Sequence, residues 1–109
     1  MTDIEEIINK LVMFRNERDW GQFHNSKDLA VAISVEANEL LELFLWKQPE
    51  VVDKQKIKEE LADVFAFAFL LAQKNGLDVK EIVLEKIKSN AEKYPVDKAK
   101  GTAKKYNEL

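Results

Sequence analysis

The sequence predicts an all-α protein, and three observations carry that reading. Apolar residues recur at helical spacing through four separate segments, residues that start and stop helices fall between those segments, and no stretch alternates strongly enough to compete as a strand. A length of 109 residues fits one compact domain and is short for two. The expected organisation is therefore a single domain over 1–109, with 96–109 as a C-terminal arm.

Thr2 followed by Glu5 reads as a capping box, and Ile4, Ile7, Ile8, Leu11 and Phe14 share one stripe, which places a first helix at about 3–18. The stretch Asp19 to Asn25 breaks that period and carries Trp20, Phe23 and the single histidine, His24, so it reads as an aromatic loop. Ser26 is the expected N-cap of a second helix running to about Trp46 or Lys47, before Pro49 forbids its continuation. A polar connection from Gln48 to Asp53 leads into a third helix, about Lys54 to Asn75, stopped by Gly76. Asp78 and Glu81 form a second capping box opening a fourth helix to about Tyr94, closed by Pro95. The tail from Val96 to Leu109, with Lys98, Lys100, Lys104 and Lys105 around Gly101, is expected as a solvated arm.

Composition excludes several functions. Without cysteine there is no disulfide, no thiolate metal site and no cysteine nucleophile, and a cytoplasmic location is the expectation. A net charge of -3 argues against binding a nucleic acid polymer, which depends on neutralising phosphates with lysine and arginine. The acidic start, Thr2-Asp3-Ile4-Glu5-Glu6, is unlike a secretory signal, and the apolar run Val64 to Ala72 is under half the roughly 20 residues that span a bilayer. No membrane partner is expected. Glycine-rich phosphate loops of the Walker or Rossmann type are missing as well.

The informative residues are carboxylates where a helix should be apolar. At about 100° per residue, Leu29, Ile33, Leu40, Leu43 and Phe44 define a stripe on the second helix; Glu36 falls inside it and Glu39 on its border. On the third helix, Glu60 lies in the stripe of Val64, Phe67 and Leu71, and Asp63 is the only charged residue from Leu61 to Ala72. An unpartnered buried charge costs several kcal/mol, on the order of 2–7 for a polar group and more for an ion, so something must compensate it. Antiparallel packing of these helices gathers Glu36, Glu39, Glu60 and Asp63 into one cluster, and neither stripe offers an inward lysine. A cation is the expected partner, against the alternative of a buried lysine–glutamate network. Ligands that are all oxygen select a hard ion, Mg²⁺ or its substitute Mn²⁺. Such a site suits a substrate that brings its own phosphates, and Trp20, Phe23 and Trp46 offer flat faces for a nucleobase, with Gln22 and His24 as hydrogen-bonding groups.

With those residues in view, the chain resembles the MazG-type all-α nucleoside triphosphate pyrophosphohydrolases, and within them the dCTP pyrophosphatase branch. The resemblance covers nearly the whole chain. It rests on the pairs Glu36-Ala37-Asn38-Glu39 and Glu60-Leu61-Ala62-Asp63, on Glu17-Arg18-Asp19-Trp20-Gly21-Gln22-Phe23-His24 before them, on Glu42-Leu43-Phe44-Leu45-Trp46-Lys47 between them and on Lys93-Tyr94-Pro95-Val96. It implies a four-helix MazG-like fold assembling into an oligomeric helical bundle, a homotetramer built as a dimer of dimers. It also implies hydrolysis of a nucleoside triphosphate between the α and β phosphates, with Mg²⁺ held by Glu36, Glu39, Glu60 and Asp63. The base is then expected against Trp20, Gly21, Gln22, Phe23, His24 and Trp46. Lys86 and Asn90, one turn apart, match a family pair and are expected to reach the triphosphate. The chain departs from the dCTP-selective members at Phe67, where they carry a tyrosine facing the substrate, and at Leu11, where they carry a histidine.

Catalytic candidates are Glu39 and Glu60. Bound Mg²⁺ is expected to draw in phosphate oxygens and acidify the attacking water, with Glu39, on the border of its stripe, taking the proton. Two other readings stand beside dCTP hydrolysis: a non-catalytic helical interaction module with an incidental acidic groove, and the same fold acting on a modified nucleotide. Apolar residues on second faces, Leu41, Leu45, Phe65 and Phe69, favour burial beyond one layer of four helices.

Overall fold

The computed structural model describes residues 1–109, with the side chain of Glu50 left aside. Four long helices appear where helical spacing places them: α1 (Asp3–Glu17), α2 (Ser26–Glu42), α3 (Lys54–Lys74) and α4 (Val79–Lys93), followed by one short helix, α5 (Val96–Ala99). Single 3-10 turns cover Trp20–Phe23, Pro49–Val51 and Tyr106–Glu108. No strand is present among the described residues. By contact the chain divides into two compact units, Met1–Leu77 and Asp78–Leu109.

In the first unit α2 packs along α3, and α1 lies against α3. The capping box of α1 forms in full: Glu5 N–H donates to Thr2 Oγ1 at 3.2 Å and Thr2 N–H donates to Glu5 Oε2 at 2.9 Å. At α2 the N-cap is Asn25 rather than Ser26; its Oδ1 accepts from Asp28 N–H at 2.8 Å, and its Nδ2 donates to Asp28 Oδ2 at 2.8 Å. An amide can serve both partners at once, which a serine hydroxyl does less well. Ser26, now the first helical residue, accepts instead from Asn75 Nδ2 at 3.1 Å, tying the start of α2 to the end of α3.

The second correction is the C-terminus of α2, which ends at Glu42, four or five residues before the expected stop. The N–H groups of Leu43, Phe44, Leu45 and Lys47 each donate three residues back, tightening the chain into successive turns. Trp46 then takes a left-handed φ of 61°, which no right-handed helix accommodates. α3 starts from Asp53, whose Oδ1 accepts from Gln55 N–H at 3.0 Å. It stops in a Schellman turn: Gly76 N–H donates to Gln73 O at 3.1 Å, Leu77 N–H to Ala72 O at 2.9 Å, and Gly76 adopts φ 65°.

In the second unit Asp78 Oδ1 accepts from Glu81 N–H at 2.9 Å, the N-cap half of the expected box. The arm is solvated as expected, with 96–109 exposed apart from Ala99, but it has local structure of its own. Beyond α5, the ring of Tyr106 stands edge-on to Tyr94 with centroids 6.2 Å apart, and Lys93 Nζ lies 5.2 Å from the centre of the Tyr106 ring. Such contacts come from residues twelve apart in sequence, and a lysine count does not reveal them.

The core is thin. Leu29, Leu70 and Ala72 are the buried apolar residues, while Val31, Val35 and Leu41 on α2, Phe65 on α3, and Val83, Leu84 and Ile87 on α4 are exposed. No described helix is long and apolar enough to cross a membrane.

Candidate functional site

Helices α2 and α3 bring three of the four predicted carboxylates, Glu36, Glu60 and Asp63, to one place, with Glu39 beside them. Ligand atoms of Glu36, Glu60 and Asp63 all lie within 4.8 Å of one another; Glu39 is not in that set but is near enough to act on the acidity of both Glu36 and Glu60. Glu36 and Glu60 are half-buried, whereas Glu39 and Asp63 are exposed. Glu36 Oε2 and Glu60 Oε2 are shielded from solvent and have no hydrogen-bond partner among the described residues.

Crowding shows in the acidities. Glu36 is pushed up to about 7, first by loss of water around its carboxyl, then by its hydrogen bond to Glu39 and by the negative charges of Glu39, Asp63 and Glu60. Glu60 is raised for the same reasons, with Glu59 adding to Glu39 and Asp63. Among the described residues the only ion pairs are Lys10–Glu6 and Arg18–Glu17, so no lysine or arginine neutralises the cluster. Converging carboxylates, two orphaned oxygens and no protein cation make a donor set that fits a hard divalent ion and disfavours the lysine–glutamate network.

Beside the cluster is a pocket of about 380 Å³ lined by Leu11, Phe14, Arg15, Trp20, His24, Asp63, Ala66, Phe67 and Leu70. Asp63 belongs to both the cluster and the pocket wall. The aromatic walls are set by edge-on contacts: Phe14 to Trp20 at 5.7 Å and His24 to Phe67 at 6.3 Å between centroids. The Arg18 guanidinium carbon sits 3.6 Å from the centre of the Phe14 ring and 5.9 Å from that of Trp20, so it braces the first pair. His24 is half-buried with an unpartnered Nδ1, and burial followed by the Arg15 charge holds its imidazole below the ordinary histidine range, which keeps it neutral.

Of the base-binding candidates, Trp20, His24 and Phe67 meet in this pocket. Gly21, Gln22 and Phe23 complete the 3-10 turn that begins at Trp20 and leads into His24, while Phe67 comes from α3. Gln22 Nε2 donates to Asp19 O at 3.0 Å and Asp19 Oδ2 at 3.2 Å, closing the loop on itself, while Phe23 is exposed. Trp46 is not among the pocket's lining residues; it is 100% exposed in the turn after α2. Lys86 and Asn90 are exposed on α4, in the second unit. Pattern reading passed over Arg15, although a signal existed: Arg15 follows Leu11 by four residues and shares its face of α1.

Comparison with known proteins gives a consistent set of likenesses. The family model described as the MazG-like family matches residues 31–109. The chain is 35% identical over 116 residues to dCTP pyrophosphatase 1 of Rattus norvegicus, covering 97% of this chain and 67% of that protein. It is 35% identical over 114 residues to the Homo sapiens protein of the same name, again over 97% of this chain and 67% of the other. A crystal structure of a pyrophosphatase from Archaeoglobus fulgidus superposes with a TM-score of 0.83 at 36% identity, covering 87% of this chain and 94% of that one.

Proposed function

Because the chain belongs to the MazG-like family and is a nucleoside triphosphate pyrophosphatase, we propose that it hydrolyses dCTP, or a closely related deoxynucleotide, to the monophosphate and pyrophosphate with Mg²⁺. The observation that carries this reading is the double membership of Asp63. One residue links a carboxylate cluster suited to a divalent ion with an aromatic pocket suited to a flat base, so phosphates and base are addressed from adjoining sites.

Glu36, Glu39, Glu60 and Asp63 would hold the ion, with Mn²⁺ a workable substitute given ligands that are all oxygen. When bound, Mg²⁺ supplies charge neutralisation for the phosphate oxygens and acidifies water in its vicinity. Glu39 and Asp63 are exposed while Glu36 and Glu60 are half-buried, and we assign the proton of the attacking water to Glu39 because it lies on the border of its apolar stripe. Trp20 and Phe67 flank the base by stacking and edge contact, and neutral His24 offers hydrogen bonds without adding charge. Lys86 and Asn90 are assigned as donors to triphosphate oxygens on their chemistry and spacing alone. The exposed apolar residues of α2, α3 and α4 favour assembly into the homotetramer, a dimer of dimers.

Incubation with a panel of nucleoside triphosphates, base-methylated dCTP among them, with and without Mg²⁺, followed by ion-exchange separation, tests the reading. Monophosphate and pyrophosphate, formed only with metal and fastest for dCTP, are the expected products, and Glu60→Ala should lower kcat by about 100-fold or more. Diphosphate with orthophosphate would refute the cleavage position. No turnover of any triphosphate would leave a binding module.

A further inference from the structure

The geometry points to Arg15 as the residue that reads the base, by donating its guanidinium fork to the adjacent carbonyl oxygen and ring nitrogen, O2 and N3, of cytosine. This rests on the nucleoside triphosphate reading above and deepens it. Arg15 lines the 380 Å³ pocket, is half-buried, and forms no ion pair among the described residues. Its Nε donates to Asn16 Oδ1 at 3.1 Å and its Nη1 makes a long contact of 3.4 Å with Gln73 Oε1. Both partners are neutral and Nη2 donates to nothing described, so the cation keeps its charge and one edge of its fork for a ligand.

The rest of the wall decides what that ligand is. Leu11, Phe14, Ala66, Phe67 and Leu70 have no polar side-chain atom, and the other charged lining residue, Asp63, belongs to the carboxylate cluster that would hold the ion. A strongly hydrated phosphate fits poorly between aromatic rings beside a carboxylate, whereas a neutral planar base with acceptors on its edge fits well. A guanidinium presents two parallel donors and so selects two neighbouring acceptors. Cytosine offers that pair in O2 and N3, as guanine does in O6 and N7; among the pyrimidines the fork excludes thymine and uracil, which carry a proton on N3 and meet it with a donor. The neutral imidazole of His24 in the same pocket adds no competing positive charge. The stem of Arg15 is backed by the loop, since a Cβ on Gly21 would stand 3.6 Å from its Nε, an ordinary packing distance.

The experiment compares the full-length protein with Arg15→Met, a change that keeps the apolar stem, using dCTP, dTTP and the 3-deaza analogue of dCTP, in which N3 is replaced by carbon. In the unaltered protein the analogue should lose about 10- to 100-fold in kcat/KM, and Arg15→Met should lose a similar factor for dCTP while changing dTTP little. Arg15→Met should then no longer distinguish dCTP from its analogue. Equilibrium binding of a non-hydrolysable α,β-methylene dCTP should weaken in parallel, and a melting curve checks that the variant folds. Equal losses for dCTP and dTTP would mean that Arg15 meets phosphate, and an analogue turned over as fast as dCTP by the unaltered protein would overturn the proposal without any variant. Absence of turnover for every triphosphate would instead sink the underlying reading of the site.

Discussion

Glu36 makes the metal-free protein a pH-sensitive one. Its carboxyl sits at about 7 in the folded chain against the ordinary 4.5, so between those values the folded state holds a proton that the unfolded chain has released. Through Glu36, stability should therefore fall as pH rises through that window; Glu60 pulls in the same direction, and His24, held below the ordinary histidine range, pulls in the opposite one. Melting in chelator at pH 5.5 and at 7.5 should give the higher Tm at the lower pH, and Glu36→Gln should flatten the difference. Added Mg²⁺ should reverse the order, because the ion competes with the proton for the same oxygens and binds best when Glu36 is ionised. A Glu36→Gln variant with the same pH dependence of Tm as the unaltered protein would show that the carboxyls do not crowd one another as described. At this scale the sequence was readable wherever charge contradicted its surroundings: Glu36, Glu60 and Asp63 stand out because they interrupt apolar stripes. Arg15 was not, because a lone arginine on an amphipathic helix looks like any solvated side chain until the pocket around it is known.

Helix ends separate what is local from what is not. The Schellman turn after α3 depends on one glycine in a left-handed conformation, and a Cβ placed there meets nothing within 4 Å, so the cost of Gly76→Ala is conformational alone. We expect about 1 kcal/mol, visible as a lower urea midpoint with unchanged slope, while kcat/KM for dCTP stays within twofold or so. A larger loss would mean that Gly76 does more than turn the chain. Thr2, Asp78 and Gly76 could all be recognised in advance because caps are written within three or four neighbouring residues. The end of α2 could not, since Leu43 to Trp46 are compatible with helix and it is the tightening of successive turns that stops it. Likewise Asn25 and Ser26 are both good caps by type, and only the bond to Asp28 decides between them.

For the molecule as a whole, three buried apolar residues against many exposed ones is a small core for a chain of this length. A protein that completes its burial through copies of itself has a stability tied to its concentration. Between about 1 and 100 µM the Tm should rise by several degrees, and sedimentation should show the tetramer persisting at the upper end. A Tm independent of concentration, with a monomer throughout, would remove the assembly from the proposal and leave the first unit to carry the chemistry alone. The fully exposed Trp46 offers a direct view of that question. With only two tryptophans in the chain, and Trp20 partly covered in its pocket, the indole of Trp46 dominates the fraction of emission that iodide can quench. The protein thus carries its own optical reporter. A blue shift and loss of quenching on raising the concentration would record another surface closing over that ring, and replacing Trp46 by phenylalanine would leave Trp20 to report base binding without interference.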